Sequence, residues 1–339
     1  MTEPAELFDA IDDEMERVLV GQSDIIEGLT IALLTRGHVL LEGVPGVAKT
    51  TMANLFAQVS GLEYSRIQMT PDLLPADITG TQVYREGTGE FELQRGPVFS
   101  NVVVADEINR ATPKTQSALL EAMEEGQATI EGRTLSLPSP FMVVATQNPI
   151  EMEGVFSLPE AQRDRFQFKL VVDLPSRTDE TELLDRFDDD PELDATDLSQ
   201  VVTADGILDA RERVGDVYVD ESVKEYVLDV VAATREHEDI EYGASPRATL
   251  AFLNGGKARA AIRGREYVIP DDIKALAEPI LLHRLVLSTD AELSAVARAE
   301  VLDDVLSDVE PPGSETIDTE SGEGDTAVVG DGGANASED

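Results

Sequence analysis

The sequence predicts an α/β protein in which a parallel sheet carries helices on both faces and an all-helical domain follows. Short apolar runs alternate with helix-like segments up to residue 174, as in strand–helix–strand units. The run before Asp106 is continuously apolar rather than alternating, which is typical of a parallel strand covered on both faces. Beyond residue 174 the apolar residues recur at helical spacing, and we expect no strand there.

We divide the chain into an α/β domain at 1–174, a helical lid domain at 175–308 and an acidic tail at 309–339. The tail is expected to be disordered because it has few apolar side chains to bury. Ser23 is expected to cap the second helix. The predicted strands are 39–42, 63–69, 100–106, 141–146 and 166–172, the hairpins 81–98 and 127–137, and the helices 4–18, 23–35, 52–59, 115–125, 178–187, 204–213, 221–236, 246–263, 270–282 and 291–306.

The composition excludes several classes of site and of protein. A chain of 339 residues without cysteine has no disulfides and no thiolate metal sites, and its three histidines do not have the spacing of metal ligands. No apolar run approaches the roughly 20 residues of a membrane span. The acidic N-terminal segment also lacks a signal-peptide pattern. We therefore expect a cytoplasmic protein with no membrane insertion.

The formal net charge of −42 has two interpretations. A strongly negative surface repels nucleic acid unless a local basic patch intervenes. Alternatively, dense carboxylates keep a protein hydrated at high salt, and the excess of acids without any tryptophan resembles the proteins of salt-loving archaea. Only eight of the 68 acidic residues lie in 311–339, which leaves 60 acids against 26 basic residues in the rest of the chain. We favour a halophilic adaptation because the excess extends over the folded part.

A strand, a glycine-containing loop and a helix follow one another at 39–59, in the order that forms a phosphate cradle. Loop N–H groups and the helix N-terminus would converge on an anion. Lys49 would reach the β- and γ-phosphates of ATP, and Thr50 would place its hydroxyl on Mg²⁺. The alternative is a plain strand-to-helix turn that carries a surface lysine. The predicted cradle comprises Gly43, Val44, Pro45, Gly46, Val47, Ala48, Lys49, Thr50 and Thr51.

Ala48 departs from the nucleotide-loop pattern, which has glycine directly before the Lys49-Thr50 pair. Alanine fits this position if its backbone is helical rather than left-handed. We therefore expect a right-handed conformation at Ala48 and treat the loop as a variant of the pattern.

Polar side chains end two later strands of the predicted sheet. Asp106 follows four apolar residues, where a carboxylate would complete the Mg²⁺ shell. Glu107, next to it, suits a base that polarises the attacking water. Asn148 ends the following strand and could orient the same water. The alternatives are a solvated acidic turn and an ordinary turn residue before Pro149.

These motifs together resemble the MoxR family of AAA+ ATPases. The resemblance extends from about residue 20 to about residue 300, and it accounts for Ala48, because the family often has alanine there. The segments that carry it are Gly43-Val-Pro-Gly-Val-Ala-Lys-Thr50, Ala105-Asp-Glu-Ile-Asn-Arg-Ala111 with Lys114-Thr-Gln-Ser-Ala-Leu-Leu-Glu-Ala-Met-Glu-Glu125, Ala145-Thr-Gln-Asn-Pro149, and Leu158-Pro-Glu-Ala-Gln162 with Asp164-Arg-Phe166.

The resemblance implies roles for residues whose spacing alone predicts none. Val20 and Gly21 would lie against the adenine, and Asn148 would be the first sensor. Arg165 would be the arginine finger that enters the neighbouring subunit's nucleotide site, although Arg163 is an alternative that we do not favour. The second sensor, on the helical lid, would be Arg247.

The resemblance also implies an ATP-hydrolysing homo-oligomer, expected to be a hexameric ring, that remodels or matures protein clients as a chaperone does. Proteins with von Willebrand factor A domains are candidate clients. The alternative is a nucleic-acid motor, since related rings move DNA. The hairpin at 81–98 offers only Arg85 and Arg95 against three glutamates, so we expect no nucleic-acid partner. A regulator without turnover is disfavoured because Glu107 is present.

Overall fold

The structure is a computed structural model that describes residues 2–87, 89–149, 154–189 and 198–313. The predicted disordered tail lies outside the described residues from 314 onward, so this prediction is untested, as is the domain boundary at 174. Among the described helices, none is long and apolar enough to cross a membrane.

A five-stranded parallel sheet forms the centre of the α/β part, with the strand order β2-β5-β8-β1-β9. All five positions of β5 are buried, as the continuous apolar run predicts. The strands are β1 (Val39–Glu42), β2 (Tyr64–Gln68), β3 (Gly80–Arg85), β4 (Glu90–Arg95), β5 (Val102–Asp106), β6 (Gln127–Ile130), β7 (Arg133–Ser136), β8 (Met142–Gln147), β9 (Phe168–Val171), β10 (Ile240–Tyr242) and β11 (Val286–Leu287).

Both predicted hairpins are confirmed as separate two-stranded antiparallel units, β3–β4 and β6–β7. The helices that cover the sheet and build the C-terminal part are also close to prediction. They are α1 (Pro4–Glu16), α2 (Ser23–Leu34), α3 (Lys49–Val59), α4 (Pro75–Thr79), α5 (Pro113–Glu125), α6 (Glu160–Arg163), α7 (Arg177–Asp189), α8 (Ala204–Asp216), α9 (Glu221–Glu236), α10 (Pro246–Ile262), α11 (Pro270–Leu281), α12 (Thr289–Leu293) and α13 (Arg298–Asp308).

The C-terminal helices pack against the first two helices of the chain, since α8 and α10 both contact α1 and α2. Buried Arg211 of α8 donates two hydrogen bonds to the Leu33 carbonyl, at 2.9 and 2.6 Å. Glu27 of α2 pairs with Arg259 at 3.0 Å and with Arg263 at 2.5 Å. These contacts pack the C-terminal helices α8 and α10 against α1 and α2.

Three predictions of local structure are wrong. The C-terminal part contains a short antiparallel pair, β10–β11, whose two or three residues are too few for an alternating pattern. The helix predicted at 291–306 is broken, because Ala295 has a left-handed backbone with φ of 55° between α12 and α13. Gln22 rather than Ser23 occupies the cap of α2, and the Ser23 hydroxyl bonds Glu16 at 2.6 Å instead.

Candidate functional site

The loop between β1 and α3 depends on two glycines for different reasons. A Cβ atom at Gly43 would lie 2.4 Å from the Val172 carbonyl oxygen, so only glycine lets the loop pass this closely to the end of β9. Gly46 has a φ of 93°, and a Cβ there would meet nothing within 4 Å. Gly46 is therefore needed for its backbone conformation, and the loop remains open on that side.

The backbone of Ala48 is left-handed, with φ of 57° and ψ of 24°, so the expectation of a helical conformation is wrong. A non-glycine residue in this region costs on the order of 1 kcal/mol. Among residues with a Cβ atom, alanine has the smallest side chain. Ala48 occupies the N-cap position of α3. The loop therefore keeps the glycine-like geometry of the pattern without the glycine.

Lys49, the first residue of α3, folds over the loop. Its ammonium donates to the carbonyl of Gly43 at 2.5 Å and to that of Val44 at 2.8 Å. Burial lowers the pKa of Lys49, while the nearby carboxylates of Asp106 and Glu107 act in the opposite direction. The Lys49 ammonium is therefore the cation of the loop, and it lies near the carboxylates of Asp106 and Glu107.

Asp106 is held by three side chains at the end of β5. Thr50 donates to Oδ1 at 3.0 Å and Thr146 donates to the same oxygen at 2.7 Å. Arg66 of β2 pairs with Oδ2, with Nε at 3.2 Å. Burial favours the neutral acid, but the hydrogen bonds from Arg66, Thr146 and Thr50 prevail and hold the pKa of Asp106 below its usual value. Asp106 is therefore a fixed carboxylate.

Glu107 follows with a strained backbone, since its φ and ψ are both 56°. Its N–H donates to the Thr146 hydroxyl at 2.9 Å. One carboxylate oxygen, Oε2, accepts a hydrogen bond from Gln68 at 3.0 Å and lies 3.3 Å from Arg110 Nη1. Glu107 therefore combines a strained backbone with a carboxylate that its neighbours restrain.

A cavity of about 470 Å³ joins most of the predicted site residues. It lies at the carboxyl edge of the sheet, where β1, β5 and β8 end. Val20 and Gly21 do not line it, and Gly21 instead faces Asp179, whose carboxyl carbon would lie 2.7 Å from a Cβ at that position. The lining residues are Pro45, Gly46, Ala48, Lys49, Thr50, Thr51, Asp106, Glu107, Thr146, Gln147 and Asn148.

The cavity suits a polyphosphate and a hard divalent cation. The oxygens of Thr50 and Asp106 stand side by side, and they are the kind of ligand that Mg²⁺ takes in small number, with the rest of its shell from water and phosphate. Among the described residues no group of three or more carboxylates and histidines could hold a metal alone.

Arg165 and Arg247 lie elsewhere, on a separate surface that we call the arginine face: Arg36, Glu124, Arg165 and Arg247. Both Arg165 and Arg247 pair with Glu124 of α5, Arg165 through Nη1 to Oε2 at 2.5 Å and Arg247 through Nη2 to Oε1. A cavity of about 450 Å³ lies between them and Arg36.

The arginine face lies at the amino edge of the sheet, opposite the phosphate loop. His38, which precedes β1, and Gln167, which precedes β9, line the same cavity as Arg165. The four residues of β1 separate the two edges by roughly 13 Å at 3.3 Å per residue. Neither Arg165 nor Arg247 therefore lies at the cavity of its own chain's Lys49.

A buried clamp fixes the segment that carries Arg165. Asp164 accepts from Arg284 Nε at 2.8 Å and from the Ser245 hydroxyl at 2.8 Å, and Ser245 also accepts the N–H of Arg247 at 3.1 Å. The Arg284 side chain is 3 % exposed. Arg163, in contrast, pairs with Glu160 of its own helix at 3.5 Å. The clamp therefore joins Asp164, the residue between the two arginines, to the start of α10, and Arg165, unlike Arg163, shares the counter-ion Glu124 with Arg247.

Sequence reasoning missed four residues of these two regions. Arg66 and Gln68 lie on β2, and the parallel register that sets Gln68 opposite Asp106 brings them to the acids. Glu124 lies near the end of α5 and Arg284 lies in the turn after α11, and no local pattern predicts the partner of either. The available signal for Arg66 and Gln68 was that each is a polar residue next to an apolar one within a predicted strand.

Two family models match the chain. The model described as the ATPase family associated with various cellular activities (AAA) matches residues 38–168, and the model described as the AAA lid domain matches 232–305. The crystal structure of a protein from Cytophaga hutchinsonii, assigned there as an ATPase, superposes with a TM-score of 0.84 at 40% identity and covers 91% of this chain and 96% of its own.

Relatives of similar length carry a family name. Chaperone MoxR1 of Mycobacterium tuberculosis is 46% identical over 88% of this chain and 81% of its own length. YeaC of Bacillus subtilis, which has no described function, is 44% identical over 88% of this chain and 93% of its own. MoxR of Methylorubrum extorquens is 30% identical over 86% and 90% of the two chains. With its α/β fold and helical lid, the chain therefore belongs to the MoxR family of AAA+ ATPases.

Proposed function

We propose that this chain is the subunit of an ATP-hydrolysing ring that remodels or matures protein clients. One observation carries the proposal: the predicted nucleotide residues meet at one edge of the sheet, and the two predicted arginines meet at the opposite edge. A subunit of this kind supplies phosphate binding and a base to its own site and a guanidinium to another. Such a division of labour requires an assembly.

The residues of the carboxyl edge have distinct roles in this proposal. Lys49 and the N–H groups of the loop bind the β- and γ-phosphates, and Thr50 and Asp106 hold Mg²⁺, which would neutralise phosphate charge. Glu107 polarises the attacking water, and Asn148 orients it. Gln68 and Arg110 hold Oε2 of Glu107 in place. Val20 and Gly21 are proposed to contact the adenine.

Arg165 and Arg247 act on the nucleotide of a neighbouring subunit. Phosphoryl transfer spreads negative charge over the transferring group, and an arginine supplied in trans raises the rate by about 10³–10⁵-fold where this has been measured. A head-to-tail contact brings the amino edge of one subunit to the carboxyl edge of the next, and it generates a ring if the rotation closes. We propose a hexamer, as the family resemblance implies.

The proposed client is a protein, with a von Willebrand factor A domain as the candidate. The name of the mycobacterial relative, a chaperone, supports a role on protein clients. The nucleic-acid alternative finds no support in the hairpin β3–β4, because Arg85 is neutralised by Glu92 at 2.6 Å. The net charge of −42 also opposes binding to a polyanion.

Steady-state ATP turnover in the preferred salt tests this function. Specific activity should rise with protein concentration, because assembly completes the site. A purified von Willebrand factor A domain protein should stimulate turnover further, and single-stranded DNA should not. Stimulation by DNA alone, or activity independent of protein concentration down to nanomolar levels, would contradict the proposal.

A further inference from the structure

We propose that Glu124 is a positioning residue that occupies the arginine face in the free subunit and sets the threshold that a neighbouring subunit's nucleotide must overcome to engage it. It is the counter-charge that Arg165 and Arg247 share in the free subunit, and the neighbour's nucleotide must displace it. The inference rests on the proposed action in trans. It assigns a role to a residue that belongs to neither the phosphate loop nor the pair of arginines.

The geometry shows one carboxylate that serves two cations. Glu124 Oε2 pairs with Arg165 and Oε1 pairs with Arg247, so each oxygen is committed to a different element of the fold. Arg165 also donates to the Leu120 carbonyl at 2.9 Å, one turn earlier on α5. Glu124 therefore holds together two guanidiniums that would otherwise repel each other.

The contacts do not satisfy the arginines completely. The Nε atom of Arg165 is buried and has no hydrogen-bond partner among the described residues. Arg36, at the wall of the same cavity, is exposed and has a left-handed backbone with φ of 59°. The arginine face therefore carries an excess of positive charge in a chain whose net charge is −42, and the ligand that fits it is an anion.

Competition with Glu124 sets a threshold for that anion. The side chains of Glu124, Arg165 and Arg247 are 38, 29 and 43% exposed, so each ion pair is partly solvated and can be broken. A γ-phosphate brings additional negative charge to the arginines and replaces the lost carboxylate. A diphosphate ends one group earlier and competes less well. The shared carboxylate subtracts the same free energy from every nucleotide that displaces it, so it weakens assembly with both nucleotides and does not set the ratio between them.

Sedimentation velocity with two nucleotides tests this. The nucleotides are Mg·ADP and the magnesium complex of adenylyl imidodiphosphate, which has the triphosphate charge and resists hydrolysis. The wild type should assemble at a lower protein concentration with the triphosphate analogue. Glu124→Gln keeps the size and an acceptor oxygen but removes the charge. Because this change removes the competitor, it should lower the assembly midpoint with the triphosphate analogue roughly three- to tenfold, the range for losing two partly exposed ion pairs. Loss of a contact that merely supports the arginines would instead raise that midpoint.

Glu121→Gln is the matched control, because Glu121 lies one turn earlier on α5, is exposed, and has no ion pair with either arginine among the described residues. It should keep the wild-type midpoint. Arg165→Ala and Arg247→Ala distinguish the two levels of the argument. If they abolish the nucleotide response while Glu124→Gln keeps or raises the wild-type midpoint, Glu124 does not compete with the nucleotide and the proposed function stands. If they leave the response intact, or if the wild type assembles equally with both nucleotides, the action in trans is itself wrong.

Discussion

The two edges of the central sheet differ in how much of a catalytic site each completes within one chain. At the carboxyl edge, Thr50 and Thr146 come from two different elements and both donate to Oδ1 of Asp106, at 3.0 and 2.7 Å. At the amino edge, Arg165 and Arg247 share the counter-ion Glu124. In a parallel sheet the carboxyl ends of the strands lie at one edge, so residues that follow several different strands come together there.

The proposed second subunit accounts for this difference. The clamp around Asp164 holds the amino edge independently of the nucleotide site of its own chain, with Arg284 almost fully buried. A positive surface held in this way, in a strongly acidic protein, fits a negatively charged group supplied by another subunit, as proposed above. Three predictions test the two edges separately, one tests the whole surface, and a fifth joins the two edges.

The largest effect is expected from Lys49→Ala at the carboxyl edge. Nucleotide binding should be lost, with affinity reduced roughly 100-fold or more, because two charge-assisted contacts to phosphate disappear. Calorimetric titration with Mg·ATP in molar KCl measures this. Lys114→Ala, which removes the same charge from the exposed start of α5, is the control. Binding within a few-fold of wild type would remove Lys49 from this role.

Glu107→Gln should keep ATP bound and stop turnover. The amide retains the size of the side chain but loses the charge that polarises water, so kcat should fall at least about 100-fold. Turnover and nucleotide affinity should be measured on the same preparation, with exposed Glu125→Gln as the control. Hydrolysis at the wild-type rate would show that the base lies elsewhere.

The pH dependence of stability probes the amino edge through His38. Val143 N–H donates to its Nδ1 at 3.0 Å, so Nε2 carries the proton and donates to the Met123 carbonyl at 3.1 Å. Burial lowers the pKa of His38 from 6.5 to about 4. The unfolded chain therefore takes up a proton between these pH values that the folded chain refuses.

Stability from His38 is thus fully present above pH 6.5 and is lost progressively as the pH falls to 4, by roughly 3 kcal/mol. Chemical denaturation in molar KCl, where repulsion between carboxylates is screened, measures the free energy of unfolding. His38→Gln should flatten the slope in this window, and His283, whose pKa burial also lowers, contributes to the slope that remains. An equal slope in the variant would contradict the assignment.

The smallest effect is expected from salt, which acts on the whole surface and not on one edge. If the acidity is an adaptation to high salt, the unfolding temperature should rise from low to molar KCl, because screening weakens self-repulsion. Each kcal/mol gained should raise it by about 2–4 °C for a domain of 150–250 residues. Thermal scans at several KCl concentrations test this. An unfolding temperature that stays constant or falls with KCl would indicate that the acidic surface serves binding instead.

The sequence was sufficient to predict the sheet and the carboxyl edge because both follow from local patterns. Buried strands appear in the sequence as apolar runs, and the polar residues that follow these strands lie at the carboxyl edge of the sheet. The register was not predictable, since one residue of shift would move Gln68 away from Asp106. Arg66 and Gln68 were missed for this reason.

Backbone strain and the packing of the lid were also beyond local reasoning. Ala48 adopts a left-handed conformation that its side chain disfavours, which the loop imposes. The meeting of Arg165 with Arg247 depends on contacts from Asp164 to Ser245 and Arg284, which are 81 and 120 residues away along the chain. Helical spacing carries no information about such contacts.

The central claim is that the arginines of one subunit complete the site of another, and subunit mixing tests it most directly. Arg165→Ala should bind ATP normally and hydrolyse it slowly. Lys49→Ala lacks a working nucleotide site but keeps its arginine face. Mixed assemblies should recover activity that neither variant has alone, because the Lys49→Ala subunit presents Arg165 to an intact site. Mixing Arg165→Ala with the double variant Lys49→Ala/Arg165→Ala should recover nothing. Absence of recovery at every ratio of the first pair, with subunit exchange confirmed, would contradict the account.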